Sequence, residues 1–228
     1  MGLVYFFFQD YGAPSREGSG KAKLAQGLAS YRRVLKNRNM MLIALVFMVG
    51  GAGRDGGVNQ IYFAPHFAND FGYSALIVGI LMTAISIGSI IGPVFFGWLS
   101  DRLSRTRLLQ ISLALSCVGS LWVAHLGRGE VVLFISLLLY SAFTSSRGPQ
   151  TQAIVADAAT DADRDAAFSL YFLLGFLSQP VWILITGYLM DKAGFATALT
   201  LLSATYIVGI FILSFMKDEP NTAIKSAA

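Results

Sequence analysis

Long apolar stretches, not alternation, dominate the hydrophobic pattern of this chain. Residues 71–100 hold no Asp, Glu, Lys or Arg, and neither do residues 108–127. A helix of about 20 apolar residues crosses the ~30 Å hydrocarbon core of a bilayer, so each stretch predicts a transmembrane helix. The same reading carried along the chain predicts six spans, near 40–64, 75–99, 108–126, 131–155, 166–190 and 195–216. Ahead of them, residues 13–39 are polar and basic. They are loop-like at Pro14–Gly20 and patterned as an amphipathic surface helix around Leu24–Leu35. The apolar stub at 3–8 is too short to span and reads as the tail of a helix whose beginning is missing. The expected organisation is all-α and polytopic. Residues 1–39 form the stub and a cytoplasmic loop, 40–216 a six-helix transmembrane bundle, and 217–228 a cytoplasmic tail.

Composition narrows the class. The chain is 55% hydrophobic and 13% charged, about half the charge of a soluble domain, which is too little to cover a water-exposed surface. The net charge of +4 comes from basic residues flanking spans, not from a stripe, so nucleic acid is not an expected partner. Cys117 is the only cysteine, which excludes an intramolecular disulfide, and no cluster has metal-ligand spacing. Residues 1–12 lack the basic start and small-residue cleavage site of a signal peptide.

Charge placement gives a sidedness. With residues 1–39, the 100–107 loop, residues 157–165 and the C-terminal tail inside, that side holds 13 Lys and Arg against 2, Arg128 and Lys192, on the other. Lys and Arg are retained on the cytoplasmic side, so both termini are expected to be cytoplasmic, in a cell-membrane protein. The second span ends Gly97-Trp-Leu-Ser-Asp101-Arg102 and the fifth ends Gly187-Tyr-Leu-Met-Asp191-Lys192. A shared pattern on opposite sides is what an inverted three-plus-three repeat produces. Gly and Asp also close helices in unrelated settings, so chance remains the competing explanation for a match this short.

The loop Gly97…Asp101-Arg102…Arg105-Thr-Arg107 resembles the signature loop of the major facilitator superfamily, Gly-x-x-x-Asp-basic-x-Gly-basic-basic, which joins the second and third helices of each six-helix half. Ser104 stands for the second glycine, and Thr106 splits the basic pair, as in the weaker C-terminal copy. The segment 29–39 looks like the family's central loop entering its seventh helix, and residues 3–8 like the end of its sixth. The resemblance covers the chain from about residue 30. It implies helices seven to twelve of a twelve-helix transporter, with an N-terminal six-helix half or a second copy as partner. It also implies a cytoplasmic gate network, to which Asp101, Arg147 and Asp157 are assigned together with the loop residues Gly97, Arg102, Arg105 and Arg107.

Two charged places lie within spans. The first span carries Gly50-Gly-Ala-Gly-Arg54-Asp55-Gly-Gly-Val-Asn59-Gln60, with Arg54 about 21 Å along a helix from Met40. Charges at such depth are costly and usually face a cavity or partner. Two readings stand. In one, Arg54 attracts an anionic group, Asp55 is its partner or a proton carrier, and Asn59 and Gln60 add hydrogen bonds. In the other, Arg54 and Asp55 neutralise each other or mark a wet helix end. Gly51-x-Gly53-x-x-Gly56 also has dinucleotide-fingerprint spacing, but spans follow it where amphipathic helices are needed, and Pro65 interrupts the would-be phosphate helix. No cofactor is expected. Arg147 falls in the cytoplasmic half of the fourth span, where a gating role outweighs ligand binding. Ala84, Gly88 and Gly92 share one helix face suited to close packing. Pro93 and Pro180 predict kinks, Trp98, Trp122 and Trp182 read as lipid or interface residues, and His66 and His125 as solvated span ends.

Three functions compete. The first is a secondary transporter, or half of one, moving a small solute by alternating access, with Arg54 tilting the solute toward an anionic group. The second is a non-transporting half or membrane scaffold. The third, an intramembrane enzyme, lacks a paired-carboxylate, His-cluster or Ser/Lys arrangement within a span.

Overall fold

The computed structural model describes residues 20–49, 60–100 and 102–216. Among these every regular element is a helix: α1 (Gly20–Lys36), α2 (Arg38–Met48), α3 (Phe63–Asn69), α4 (Ala75–Ser100), α5 (Arg105–Ala124), α6 (Glu130–Ser145), α7 (Arg147–Ala158) and α8 (Arg164–Ser214). Arg54, Asp55, Asn59 and Asp101, and the stub and tail, lie outside the described residues. Four helical stretches are long and apolar enough to cross a membrane: Ala75–Ser100, Arg105–Ala124, Glu130–Ala158 and Arg164–Ser214. Arg38–Met48 is apolar but shorter.

Local chemistry explains the ends and breaks. Asn37 caps α2, its side-chain oxygen accepting from the Asn39 and Met40 amides, while Ser104 caps α5 by accepting from Arg107 N–H. The fourth predicted span is bent at Ser146, between α6 and α7. Pro149 accounts for this, because its ring displaces the Ser145 carbonyl and supplies no N–H to it. The predicted boundary between the fifth and sixth spans falls inside α8, whose 51 residues are helical except at Gly194, with φ 82° and ψ 168°. That conformation favours glycine. Residues from both limbs, Tyr171 before it and Tyr206 after it, meet in one apolar cluster; a straight helix would hold them ~50 Å apart. The chain therefore folds back at Gly194.

Packing follows side-chain size. α4 lies directly on α6, where a methyl group on Gly88 or Gly92 would overlap the backbone of Leu138 or Ala142. This is the close approach expected for small residues spaced four apart. Likewise, a methyl on Gly175 would overlap the Phe47 ring, which stacks on Tyr171 with centroids 4.1 Å apart. The apolar interior divides into two clusters. One gathers Val34, Phe47, Leu113, Val155, Tyr171 and Leu213 near the α1 end, the other Phe63, Phe67, Leu81, Leu137 and Phe195 near the α3 end.

Candidate functional site

Between the clusters lies a buried polar seam. Ser112, Ser116 and Ser120 recur every fourth residue of α5, so all three face one way, and all are fully buried. Gln150 Nε2 donates to Ser112 Oγ at 2.9 Å, and Ser146 Oγ donates to the Phe143 carbonyl at 2.8 Å. Arg147 is 2% exposed. Its Nε donates to the Thr144 carbonyl at 3.0 Å, and its guanidinium lies 5.0 Å from the Tyr206 ring centroid. Tyr206 and Tyr140 hydroxyls are 3.3 Å apart, and those of Thr151 and Tyr171 are 2.6 Å apart. The bend at Pro149 positions Arg147 as the first residue of α7, which turns it inward among the helices. A cation inside a span needs such polar and aromatic surroundings to offset desolvation.

The apolar helix α2 stops short of the glycine-rich stretch. α2 ends at Met48, the following Val49 has an extended backbone (φ −88°, ψ 96°), and the Trp182 indole donates to the Met48 carbonyl at 2.8 Å. Beyond residues 50–59, Gln60 is half-buried, and Tyr62 Oη donates to the Ile183 carbonyl at 2.7 Å. Both flanks of the glycine-rich stretch are thus tied to adjacent residues of α8. Trp182 was read from sequence as an ordinary lipid or interface residue; it instead satisfies a helix-end carbonyl. Only knowledge of its partner could have revealed that.

The loop network lies at the α1 end. Arg105 Nη1 meets Asp157 Oδ2 at 2.5 Å and donates to the Ala153 carbonyl at 3.2 Å. Arg102 stacks over the Trp98 ring at 4.4 Å. Gly97 lies near the end of α4, and Arg107 in the first turn of α5. Arg147 is separated from Asp157, ten residues before it on α7 and about 15 Å away along the axis. A second ion pair, not foreseen from sequence, joins Arg33 to Asp163: Arg33 Nε and Nη2 donate to the carboxylate at 2.6–3.2 Å. Hydrogen bonds from Arg33, with Ser30 and Thr160 contributing, hold the Asp163 carboxyl well below the usual range, and the same pairing raises Arg33.

At the α3 end, a pocket of about 510 Å³ is lined by Tyr62, His66, Asp70, Gly187, Asp191 and Phe195, among others. The His66 side chain is only 14% exposed, bonds Asp70 at 2.5 Å and stacks flat on Phe195 at 3.7 Å. It is therefore packed, contrary to the expectation of a solvated span end. His125 is exposed as expected.

Comparisons with known proteins give a family, two relatives and a fold. The sequence model of the Major Facilitator Superfamily matches residues 55–228. The chain is 28% identical over 175 residues to an uncharacterized MFS-type transporter, YdgK, of Bacillus subtilis, covering 75% of this chain and 43% of that protein. It is 24% identical over 155 residues to a putative glycerol-3-phosphate transporter 5 of Arabidopsis thaliana, covering 63% and 31%. The fold is similar to the solved structure of a bacterial homologue of the human drug peptide transporters PepT1 and PepT2, with TM-score 0.66 and 15% identity, over 83% of this chain and 46% of that one. The chain thus spans less than half the length of each of these relatives.

Proposed function

This chain belongs to the Major Facilitator Superfamily, and on that premise we propose that it forms one six-helix body of a secondary transporter for a small solute with an anionic group. Its family and its apolar helices make it an integral, multi-pass membrane protein. Family and relatives point to transport, not catalysis. In this reading the first span comprises α2 and α3 with residues 50–59 between them, α6 and α7 form one bent span, and α8 counts as two spans reversed at Gly194. The three-plus-three repeat, the cytoplasmic termini and a plasma-membrane location belong to the same proposal.

The observation that carries it is the interruption of α2 at Val49, directly before the sequence bearing Arg54, Asp55, Asn59 and Gln60. A broken span offers free backbone groups and a polar wall to a solute near the membrane midplane. Arg54 is the group proposed to attract the anion, and the putative glycerol-3-phosphate transporter among the relatives supports that class. Arg105, Asp157 and Asp101 are proposed to hold the cytoplasmic gate, with Arg147 acting from within the bundle. The same proposal includes a second six-helix body that closes the cavity, in keeping with a chain that spans less than half of its relatives.

The test is uptake of radiolabelled glycerol 3-phosphate, inorganic phosphate and uncharged glycerol into proteoliposomes. The chain is assayed alone and together with a second six-helix body. Anion uptake that Arg54→Ala abolishes without loss of membrane expression supports the reading. Unchanged uptake in that variant, or equal uptake of glycerol, overturns the anion assignment. Absence of flux in every combination favours a non-transporting scaffold.

A further inference from the structure

The helix α1 has two faces with different destinations. One is spent on the bundle: Ser30 and Val34 are buried, and Arg33 is committed to Asp163. Asn37, at its end, donates to the Ala158 carbonyl at 2.9 Å. The other face carries Leu28, Tyr31 and Leu35, which are 63%, 38% and 50% exposed. Their spacing of three and four places them in one stripe along two turns. Arg32 and Lys36, both exposed, follow Leu28 at intervals of four and run beside that stripe. Residues 20–39 contain six Lys and Arg and no Asp or Glu.

An apolar stripe edged by uncompensated cations is the chemistry of a helix lying at an anionic membrane surface. On α2, Met41 and Leu45 are exposed apolar side chains as well. We propose that the outer face of α1 docks on the anionic headgroups of the adjoining leaflet, with Leu28, Tyr31 and Leu35 entering the interface and Arg32 and Lys36 binding phosphate groups. The Arg33–Asp163 pair then couples this lipid contact to the start of α8. The inference goes beyond solute transport. It uses the positive-inside sidedness only to choose an anionic leaflet.

The test uses the whole chain in nanodiscs, whose two leaflets have the same lipid, so an error in sidedness or substrate leaves it unaffected. A fluorophore is placed on Leu28→Cys or Leu35→Cys, with wild type as the labelling blank because Cys117 is buried. With phosphatidylglycerol present, both probes are expected to be quenched by headgroup-nitroxide lipid and shielded from aqueous iodide. In phosphatidylcholine alone the effect should be weaker. Arg32→Gln and Lys36→Gln should each reduce the anionic-lipid preference about fivefold, without shifting thermal unfolding. Equal iodide access in both lipids would show a solvated face and overturn the proposal. So would shielding from iodide without nitroxide quenching, which would mean that protein covers the stripe.

Discussion

The two ends of the bundle are closed by different chemistry. At the α1 end, segments remote in sequence are held by ion pairs, Arg33 with Asp163 and Arg105 with Asp157. At the α3 end the closure is largely aromatic: His66 stacks on Phe195 and bonds Asp70 at the end of its own helix, Phe63 packs against Phe67, Tyr140 and Phe195, and the Gly129 amide donates to the Tyr73 hydroxyl at 3.1 Å. Partly solvated ion pairs form and break at small net cost and respond to salt and pH. Aromatic contacts rest on large buried apolar area and ring geometry, which salt does not screen. A bundle built this way has an adjustable end and a stiff one.

Five substitutions probe that contrast. Phe63→Ala removes a fully buried ring at the stiff end and should destabilise by about 3–5 kcal/mol. Thermal unfolding of the purified protein in detergent measures it. Gly175→Ala must push the Phe47 ring off Tyr171, an overpacking that costs about 1–3 kcal/mol. In the same assay Gly187→Ala, whose tightest contact among the described residues is the Tyr62 hydroxyl at 2.9 Å, should lie well below it. Gly175 packs into the α1-end cluster and Gly187 lines the α3-end pocket, so the difference in stiffness lies in the contacts that close each end and not in the apolar interior. A larger effect at Gly187 than at Gly175 would make the pocket wall the tighter of the two.

At the adjustable end, Asp163→Asn should raise hydrogen exchange across Gly20–Lys36 and leave α3 and the nearby part of α4 unchanged. The pH dependence has a fixed sign. Asp163 is held below its ordinary value in the folded protein, so its contribution is present above the unfolded carboxylate pKa, about 3.9, and is lost as pH falls through the lowered value. Exchange in α1 should therefore stay flat from neutral pH to about 4 and rise only in stronger acid. Loosening near pH 6 would assign the clasp to another group. Asp157→Asn is the mildest change. Both partners are part-exposed, 26% for Arg105 and 35% for Asp157, so the stability loss should stay under about 1 kcal/mol and shrink further at high salt.

Legibility in the sequence followed the range of the interaction. Charge-free stretches announced α4 and α5, because burial in hydrocarbon acts on each segment separately. Asn37 and Ser104 act within three residues of themselves, so their capping belongs to the same local chemistry. The loop motif pointed to the family through Gly97, Asp101 and the arginines around them. Pairings were another matter. Arg33 and Asp163 lie 130 residues apart, and no periodicity marks one as the other's partner. Trp182 looked like any interfacial tryptophan until Met48 supplied a carbonyl for it. The glycine-rich charges of the first span were visible as a candidate site, whereas what surrounds Arg147 came into view only when α5, α6, α7 and α8 met.

What the sequence determined by itself is a membrane-embedded helical chain of one transporter family, with amphipathic α1 ahead of its spans. Solvent selects that outcome: apolar helices must leave water, and each helix satisfies its own backbone hydrogen bonds wherever it lies. The tertiary structure alone decided which helix faces which. It set Gly88 and Gly92 against α6, turned Arg147 inward beside Tyr206, folded α8 back at Gly194, and left Leu28, Tyr31 and Leu35 of α1 uncovered. Those outcomes depend on side-chain fit between segments far apart in the chain, and apolar helices have no solvent-driven preference among partners inside a membrane.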